Sequence, residues 1–213
     1  MKYFKLVFLL PILLILYACP MAPGSRMYKP VNIEQTYFTQ STRCFLPNDA
    51  KKFKNEISKN KLLNWTGIIK SINTENDRDS LKFIITVDHK YWDFIEDFSI
   101  QDEKIFLSDK GEGIFYFTKK YPLSYQSKLD SISNNYKIND FIICYGNLKD
   151  GFENNPELNA QFSRVISHKF YSTNIWRYDV KKDGNGKTIC NDKNSYEINN
   201  LETLRIPKAG QNK

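Results

Sequence analysis

Apolar and polar positions alternate along two segments in the first half of the chain. Between residues 62 and 70, every second position is apolar or glycine, beginning at Leu63 and Trp65. Between residues 81 and 89, one face carries Leu81, Phe83, Ile85, Val87 and His89. A period of two is typical of β-strands with one buried face. Both segments are therefore predicted to be strands with the apolar set in the core.

Three later segments also predict strands. Residues 105–107 and 114–118 flank a turn that contains Gly111 and Gly113, and this arrangement predicts a hairpin. Residues 137–147 predict a buried strand that ends near Gly146, and the spacing of apolar residues across 162–170 predicts another. The turn sequence Asp183-Gly184-Asn185-Gly186 predicts a second hairpin near the carboxy-terminal end.

Two segments have the three-to-four-residue spacing of amphipathic helices. Asn48 or Asp49 suits a helix cap, and a short helix is predicted within 48–61. Pro122 opens the second segment, and its apolar face comprises Tyr125, Leu129, Ile132 and Tyr136. The chain is therefore predicted to be mainly β, of the α+β class, with one or two short helices.

The order of these elements resembles the OB-fold. The segment Lys137-Ile138-Asn139-Asp140-Phe141-Ile142-Ile143-Cys144-Tyr145-Gly146-Asn147 is similar to the stretch in many OB-fold proteins where a turn ending in Asp leads into a hydrophobic strand. Trp65-Thr66-Gly67-Ile68 resembles their first strand, although Asn139 stands where glycine is commoner. The resemblance implies a small five-stranded β-barrel over 62–171 with a helix before its fourth strand. Other small β-sandwiches and barrels fit the same strand order.

The first residues have the order of an export signal. Lys2 and Lys5 precede an uncharged run over 6–17, and the small Ala18 follows. This run is shorter than the roughly 20 residues that a membrane-spanning helix needs. Leu16-Tyr17-Ala18-Cys19 resembles the lipobox of bacterial lipoprotein precursors, although Tyr17 is less usual at its position. The alternative is an ordinary secretory signal that contains a cysteine.

The lipobox resemblance implies cleavage before Cys19 and a lipid on its sulfur. The chain would then be anchored to a bacterial membrane and face the periplasm or the exterior. Pro20 is not the aspartate known as an inner-membrane retention signal, so the outer membrane is favoured. The predicted organisation is a signal peptide at 1–18, a lipidated cysteine, tether and extension at 19–47, a helix at 48–61, the barrel at 62–171, and a hairpin and tail at 172–213.

Composition limits the chain to one ordinary domain with extensions. Removing residues 1–18 from the 213 leaves 195, and the loss of Lys2 and Lys5 lowers the net charge from +7 to +5. The lysines are spread among acidic residues, which is typical of a solvated surface. A nucleic-acid footprint would be more concentrated.

Export would place the other three cysteines where disulfides persist. Cys144 lies in an apolar strand, where a thiol behaves as a small hydrophobic group. Cys44 and Cys190 lie outside the predicted core, so a bridge between them is predicted. The chain has no Cys-x-x-Cys pair, which gives zinc or redox chemistry little support.

The densest polar and aromatic cluster covers 88–97. His89 with Asp93 and Glu96 could be read as a metal site or as acid–base machinery, but neither has a recognisable ligand spacing. Strand alternation places His89 on the apolar face, so a structural histidine is predicted, and His168 is interpreted in the same way. We therefore expect no enzyme activity, no metal and no cofactor. The alternative is a cryptic hydrolase that uses the acidic and histidine cluster from Asp88 to Asp97.

These observations predict a noncatalytic binding or assembly module of the cell envelope. The outward face of the second strand carries no aromatic residue, so a protein, peptide or glycan partner is expected and nucleic acid is not. A loop that begins near residue 91 would present Tyr91, Trp92, Asp93 and Glu96 to that partner. Alternatively, the aromatic side chains close the end of the barrel.

Overall fold

The computed structural model describes residues 28, 30–56, 60–77, 79–97, 102–191 and 196–203. The predicted signal peptide, Cys19 and most of the predicted tether lie outside these residues. Among the described residues, no helix is both long enough and apolar enough to cross a membrane.

Most of the described chain is β-structure. The strands are β1 (Leu62–Asp77), β2 (Ser80–His89), β3 (Trp92–Asp97), β4 (Asp102–Ser108), β5 (Ile114–Pro122), β6 (Phe141–Leu148), β7 (Glu157–Ile166), β8 (Tyr171–Val180) and β9 (Ile198–Thr203). The helices are α1 (Gln35–Gln40), α2 (Pro47–Phe53) and α3 (Leu129–Ser133). Short 3-10 segments cover Lys54–Glu56, Leu123–Lys128 and His168–Phe170.

Five strands close into a barrel in the order β1-β2-β5-β7-β6. The pairs are antiparallel except for β5 and β7, which run parallel and are joined from Tyr116–Glu157 to Thr118–Asn159. The helical segment with α3 comes directly before β6, the fourth barrel strand. This connectivity is that of an OB-fold. The prediction of a mainly β, OB-fold-like barrel is therefore confirmed.

The barrel interior follows from the alternation of its strands. Every second residue of β2 is buried, from Leu81 to His89. Trp65 of β1 is fully buried among them, and its indole N–H donates to the carbonyl oxygen of Phe45 at 2.6 Å. Phe45 and Ala50 pack into the same core. The segment before β1 therefore contributes to the core of the barrel.

A second sheet covers one outer face of the barrel. Its strand order is β3-β4-β8-β9. Trp92, Ile105 and Leu107 pack with the outward side chains of β6, which are Phe141, Ile143 and Tyr145. Because Ile142 and Cys144 point into the barrel core, β6 is buried on both faces. This explains why β6 is a continuous apolar run rather than an alternating one.

The structure corrects three predicted elements. Residues 105–107 and 114–118 do not form a hairpin, because β4 pairs with β3 and β8 while β5 pairs with β2 and β7. The segment between β4 and β5 passes very close to the end of β2. A Cβ on Gly111 in this segment would overlap the carbonyl oxygen of His89. The turn of the second predicted hairpin is present and is closed by the bridge between Lys182 and Thr188. The strand before this turn, β8, nevertheless pairs with β4 and β9. The predicted loop after residue 91 is strand β3.

Asn139 has the backbone angle for which glycine is normally selected. Its φ is 72°, in the left-handed region that asparagine tolerates better than most residues. Its N–H donates to the carbonyl oxygen of Ile69 at 2.9 Å, which attaches this turn to β1. The turn then leads into β6 through Asp140.

Cys44 and Cys190 form a disulfide with a Cα–Cα distance of 5.7 Å. The bridge joins the segment between α1 and α2 to the carboxy-terminal turn, as predicted. Cys144 is a free, buried thiol, also as predicted.

Candidate functional site

Among the residues that the structure describes, one outer face of the barrel takes no part in the apolar contacts with the covering layers. The described apolar clusters use side chains of β1, β6 and β7, and none from the outward rows of β2 and β5. We call these two rows the open face. It comprises Lys82, Ile84, Thr86 and Asp88 from β2, and Ile114, Tyr116, Thr118 and Lys120 from β5.

Tyr116 lies near the middle of the open face. The strand register places it beside Thr86 of β2 and Glu157 of β7, and its side chain is half-buried. Thr86 is small, and its hydroxyl lies 2.9 Å from the hydroxyl of Ser71 on β1. The Asn155 amide lies 3.5 Å from the Tyr116 hydroxyl. The aromatic ring is therefore bordered by small polar groups.

Lysines and carboxylates surround this ring. Lys82 lies 3.6 Å from Glu157 and 3.7 Å from Glu75, and Lys149 lies 2.9 Å from Glu157. At the other end, Asp88 lies 3.3 Å from Lys90 and 3.8 Å from Lys70. With Lys120, the face and its border carry an excess of lysines over carboxylates. A polyanion is the ligand that this charge balance favours.

Glu157 is the carboxylate with the most contacts at this border. Burial raises the pKa of Glu157, but hydrogen bonds from Lys149 and Thr118 lower it, as do the charges of Lys149 and Lys82. The net effect is a pKa below the ordinary value, so Glu157 is ionised at neutral pH. Its charge is partly neutralised by two lysines that could otherwise contact a ligand.

The structure does not support Tyr91 and Trp92 as exposed anchors. Only 4% of Tyr91 and 6% of Trp92 are exposed. Trp92 pairs with Leu107 at the start of β3, and its ring meets that of Tyr28 edge-on at 5.0 Å. Strand alternation along β2 could not reveal that the chain turns at once into a second sheet.

The other two residues of the predicted partner site belong to the same strand. Asp93 and Glu96 lie on β3, and their side chains are outside the described part of the structure. The alternative was that these aromatic side chains close the end of the barrel, but Trp92 packs against the outer face of β6 and Tyr91 packs with Leu46.

His89 is a buried histidine without access to solvent. Its Nδ1 accepts a hydrogen bond from the Glu112 N–H at 3.1 Å, and Lys182 lies 3.1 Å from the Glu112 carboxylate. Burial lowers the pKa of His89 to about 3, and the charges of Lys90 and Lys182 add to this effect. His89 is therefore neutral at physiological pH.

In the predicted acidic and histidine cluster, the side chains of Asp88 and His89 are described, and they do not come together. Asp88 and His89 are consecutive residues of β2, so their side chains lie on opposite faces of the strand. Among the described residues, no group of three histidine, cysteine, aspartate or glutamate side chains could hold a metal ion.

His168 does not lie on an inward face as predicted. β7 ends at Ile166, and His168 begins a 3-10 segment with an exposed side chain. Its backbone N–H donates to the Asp140 carboxylate at 2.9 Å, and its ring Nδ1 lies 3.2 Å from the same oxygen. The apolar alternation stops before this residue, which the sequence pattern did not reveal.

No family model matches the chain, and no curated protein matches it. Two solved structures are similar to parts of it. One is the Stn1–Ten1 complex of S. pombe, at 14% identity and a TM-score of 0.30, over 49% of this chain and 57% of that chain. The other is a small single-stranded DNA-binding protein from Streptomyces coelicolor, at 12% identity and a TM-score of 0.31, over 52% of this chain and 95% of that chain.

The predicted function and the exclusion of nucleic acid are wrong. One of the two similar structures is, by its description, a single-stranded DNA-binding protein, whereas the predicted function was an envelope assembly module, with a hydrolase as the alternative. The premise of the exclusion also fails within the chain. β2 alone lacks an outward aromatic residue, but β5 pairs with it and places Tyr116 beside Thr86.

The sequence contained one signal for this site. Ile114, Tyr116 and Thr118 alternate with the buried Phe115 and Phe117, so an outward position for Tyr116 could have been inferred. Its position beside β2 could not have been inferred, because strand pairing is long-range information.

Proposed function

We propose that the chain is a noncatalytic binding protein for single-stranded nucleic acid, and that the open face is its binding surface. The observation that supports this most strongly is Tyr116, a half-buried ring on the open face with lysines near it. Proteins that bind single strands combine aromatic side chains, on which bases stack, with basic residues that follow the backbone.

The preference for single strands follows from the geometry of stacking. The ring can stack only on a base whose face is accessible, and in a duplex the base faces are covered by their neighbours. The flanking Ile84 and Ile114 would extend the apolar contact with the base. Lysines on either side of the ring would then contact the phosphates.

The first test measures the affinity for a fluorescent oligothymidine by anisotropy, with a duplex of the same length as the comparison. Tyr116→Ala should weaken single-strand binding about tenfold, since stacking on one aromatic contributes about 1–3 kcal/mol. Tyr116→Phe is the matched control and should bind like the wild type because it keeps the ring. Equal binding of single strand and duplex, or unchanged binding by Tyr116→Ala, would contradict the proposal.

Salt dependence tests the electrostatic part. Lys120 lies on the open face, whereas Lys137 is an exposed lysine outside it, before β6. Lys120→Gln should reduce the slope of log affinity against log salt by about 1, and Lys137→Gln should leave the slope unchanged. Equal slopes for the two variants would argue against phosphate contact on this face.

We also propose that the chain is anchored to a bacterial membrane through lipid on Cys19, facing the periplasm or exterior, with the outer membrane favoured. The support is the charged start, the short apolar run and the lipobox-like Leu16-Tyr17-Ala18-Cys19. Cys19→Ser should prevent incorporation of labelled fatty acid and leave an uncleaved precursor. Normal labelling and processing of that variant would remove the anchor from the proposal.

A further inference from the structure

A second group of aromatic and basic side chains lies where β5 leaves the barrel. We call it the β5 corner, and it comprises Lys119, Tyr121, Leu123, Tyr125 and Lys128. Leu123 is 39% exposed and Tyr125 is 40% exposed. The rings of Tyr121 and Tyr125 lie 5.8 Å apart with 34° between their planes. The ring of Tyr125 is therefore accessible to solvent, and it adjoins Tyr121, which is partly buried against the barrel core.

A lysine ammonium group lies near each of these two rings. Lys119 Nζ lies 5.2 Å from the centre of the Tyr121 ring, and Lys128 Nζ lies 5.4 Å from that of Tyr125. A cation–π contact of this length holds an ammonium group next to an aromatic face. A nucleotide needs both groups, because its base stacks and its phosphate is anionic.

The lysines of the corner differ from most of those near the open face. Lys70, Lys82, Lys90 and Lys149 each lie within 4 Å of a carboxylate. Within the part of the chain that the structure describes, no ion pair involves Lys119, Lys120 or Lys128. Residues 113–129 contain these three lysines and no acidic residue. A phosphate that approaches Lys119 or Lys128 therefore does not have to displace a carboxylate that is already paired with the lysine.

We propose that the β5 corner is a second nucleotide subsite, which takes an unpaired base on Tyr125 and its phosphates on Lys119 and Lys128. This inference rests on the proposed function and deepens it. Tyr116 and Tyr121 are five residues apart along β5, or about 17 Å at the usual rise of a strand, and this odd separation places their side chains on opposite faces of the strand. Lys120 lies between them on the open face, and the pairing of β5 with β7 ends at Thr118. A nucleic-acid strand would therefore pass from Tyr116 over the edge of β5 beyond Thr118 to reach the corner.

The main competing ligand for such a surface is a lipid bilayer. Tyrosine, leucine and lysine also favour the membrane interface, and binding there scales with buried apolar area. Leu123 is the single aliphatic residue of the corner, so the corner offers little apolar area to a bilayer. The tyrosine rings and their neighbouring lysine ammonium groups match the base and the phosphate of a nucleotide.

The test compares a short oligothymidine of about 4 nucleotides with a long one of about 16, the range of site sizes of single OB-folds. Tyr125→Ala should weaken the long oligonucleotide about tenfold and the short one less than twofold, because the short one is held by the open face. Tyr125→Phe is the matched control and should retain wild-type affinity for both. Thermal unfolding of Tyr125→Ala should match the wild type because the ring is exposed.

The outcomes separate the inference from the proposed function. If the wild type binds the long oligonucleotide and Tyr125→Ala binds it equally well, the second subsite is overturned while the open face stands. If Tyr125→Ala instead loses binding only to vesicles of anionic phospholipid, the corner is a lipid contact and the subsite is overturned. If the wild type binds neither oligonucleotide, the proposed function fails and the subsite fails with it.

Discussion

The two outer faces of the barrel differ in what lies on them. On the covered side, Phe141, Ile143 and Tyr145 of β6 are fully buried under the second sheet and the amino-terminal segment. On the open face, the outward side chains of β2 remain half-buried and Tyr116 of β5 can be reached by a ligand. One side of the barrel is therefore used for packing, and the other is the side on which we propose binding.

The charged residues show the same division. On the covered side, Glu34 is fully buried and accepts hydrogen bonds from Tyr145 at 2.6 Å and from Tyr28, while Arg164 lies 3.5 Å away. Burial raises the pKa of Tyr28 and of Tyr145, and the bond to Glu34 raises it further. These groups are fixed in one arrangement. On the open face, the lysines that pair with Glu157 are partly exposed to solvent. An anionic ligand could therefore take the place of Glu157 as their partner.

The largest expected difference between the two sides is in packing. Trp92→Ala should lower the free energy of unfolding by about 3–5 kcal/mol because it empties a buried aromatic site between the sheet and β6. Tyr116→Ala is the matched aromatic truncation on the open face and should lower it by under about 1 kcal/mol. Urea unfolding measures both, and equal losses would contradict the division into a covered and an open side.

The disulfide should stabilise the covering layer without affecting binding. Cys190→Ser should lower the free energy of unfolding by about 2–4 kcal/mol, since the bridge closes a long loop of the unfolded chain. Oligonucleotide affinity below the unfolding transition should not change, because neither cysteine lies on the open face. A reductant should destabilise the wild type and leave Cys190→Ser unaffected. A variant that stays folded but loses binding would show that the two sides are coupled.

His89, on the buried face of β2, should make the free energy of unfolding depend on pH. His89 has a folded-state pKa of about 3 against an ordinary 6.5, so the unfolded chain takes up the proton first. Stability from His89 is fully present above pH 6.5 and falls by about 1.4 kcal/mol per pH unit as the pH is lowered towards 3.

The variant that tests this acid response is His89→Gln, which keeps an acceptor for the Glu112 N–H. Unfolding measured from pH 7 to pH 4 should give a shallower slope of stability against pH for His89→Gln than for the wild type. Identical slopes for the two proteins would exclude His89 as the titrating group.

The smallest expected effect is a gain in affinity. Glu157→Gln removes a negative charge from the border of the open face and frees Lys82 and Lys149 for phosphate contact. Single-strand affinity at low salt should rise about threefold, and the gain should disappear at high salt because it is electrostatic. Glu153→Gln, an exposed carboxylate of the preceding loop, is the control. A loss of affinity in Glu157→Gln would indicate that Glu157 positions the ligand.

Local pattern was enough to predict several parts of the fold. Alternation gave the buried row of β2, and the apolar run gave β6. Asn139 was identified as a glycine-like position, and its positive φ agrees with this. The bridge between Cys44 and Cys190 was predicted by elimination and is present. Each of these depends on neighbours in sequence or on a small set of candidates.

The proposed binding surface could not be predicted because it depends on which strands become neighbours. Periodicity shows which side chains share a face, but it does not show what covers that face. Tyr116 therefore could not be placed beside Thr86, and Trp92 could not be placed under a second sheet. The same gap in information led to the wrong hairpin between β4 and β5.

The disulfide also changes how tension would pass through the molecule. Residues 44 and 190 are joined covalently, so the whole barrel lies inside a closed covalent loop. A force applied between the segments before Cys44 and after Cys190 travels through the sulfur atoms and bypasses every barrel strand. Pulling on the two ends therefore does not separate β1 from β6, and the open face keeps its shape under this force.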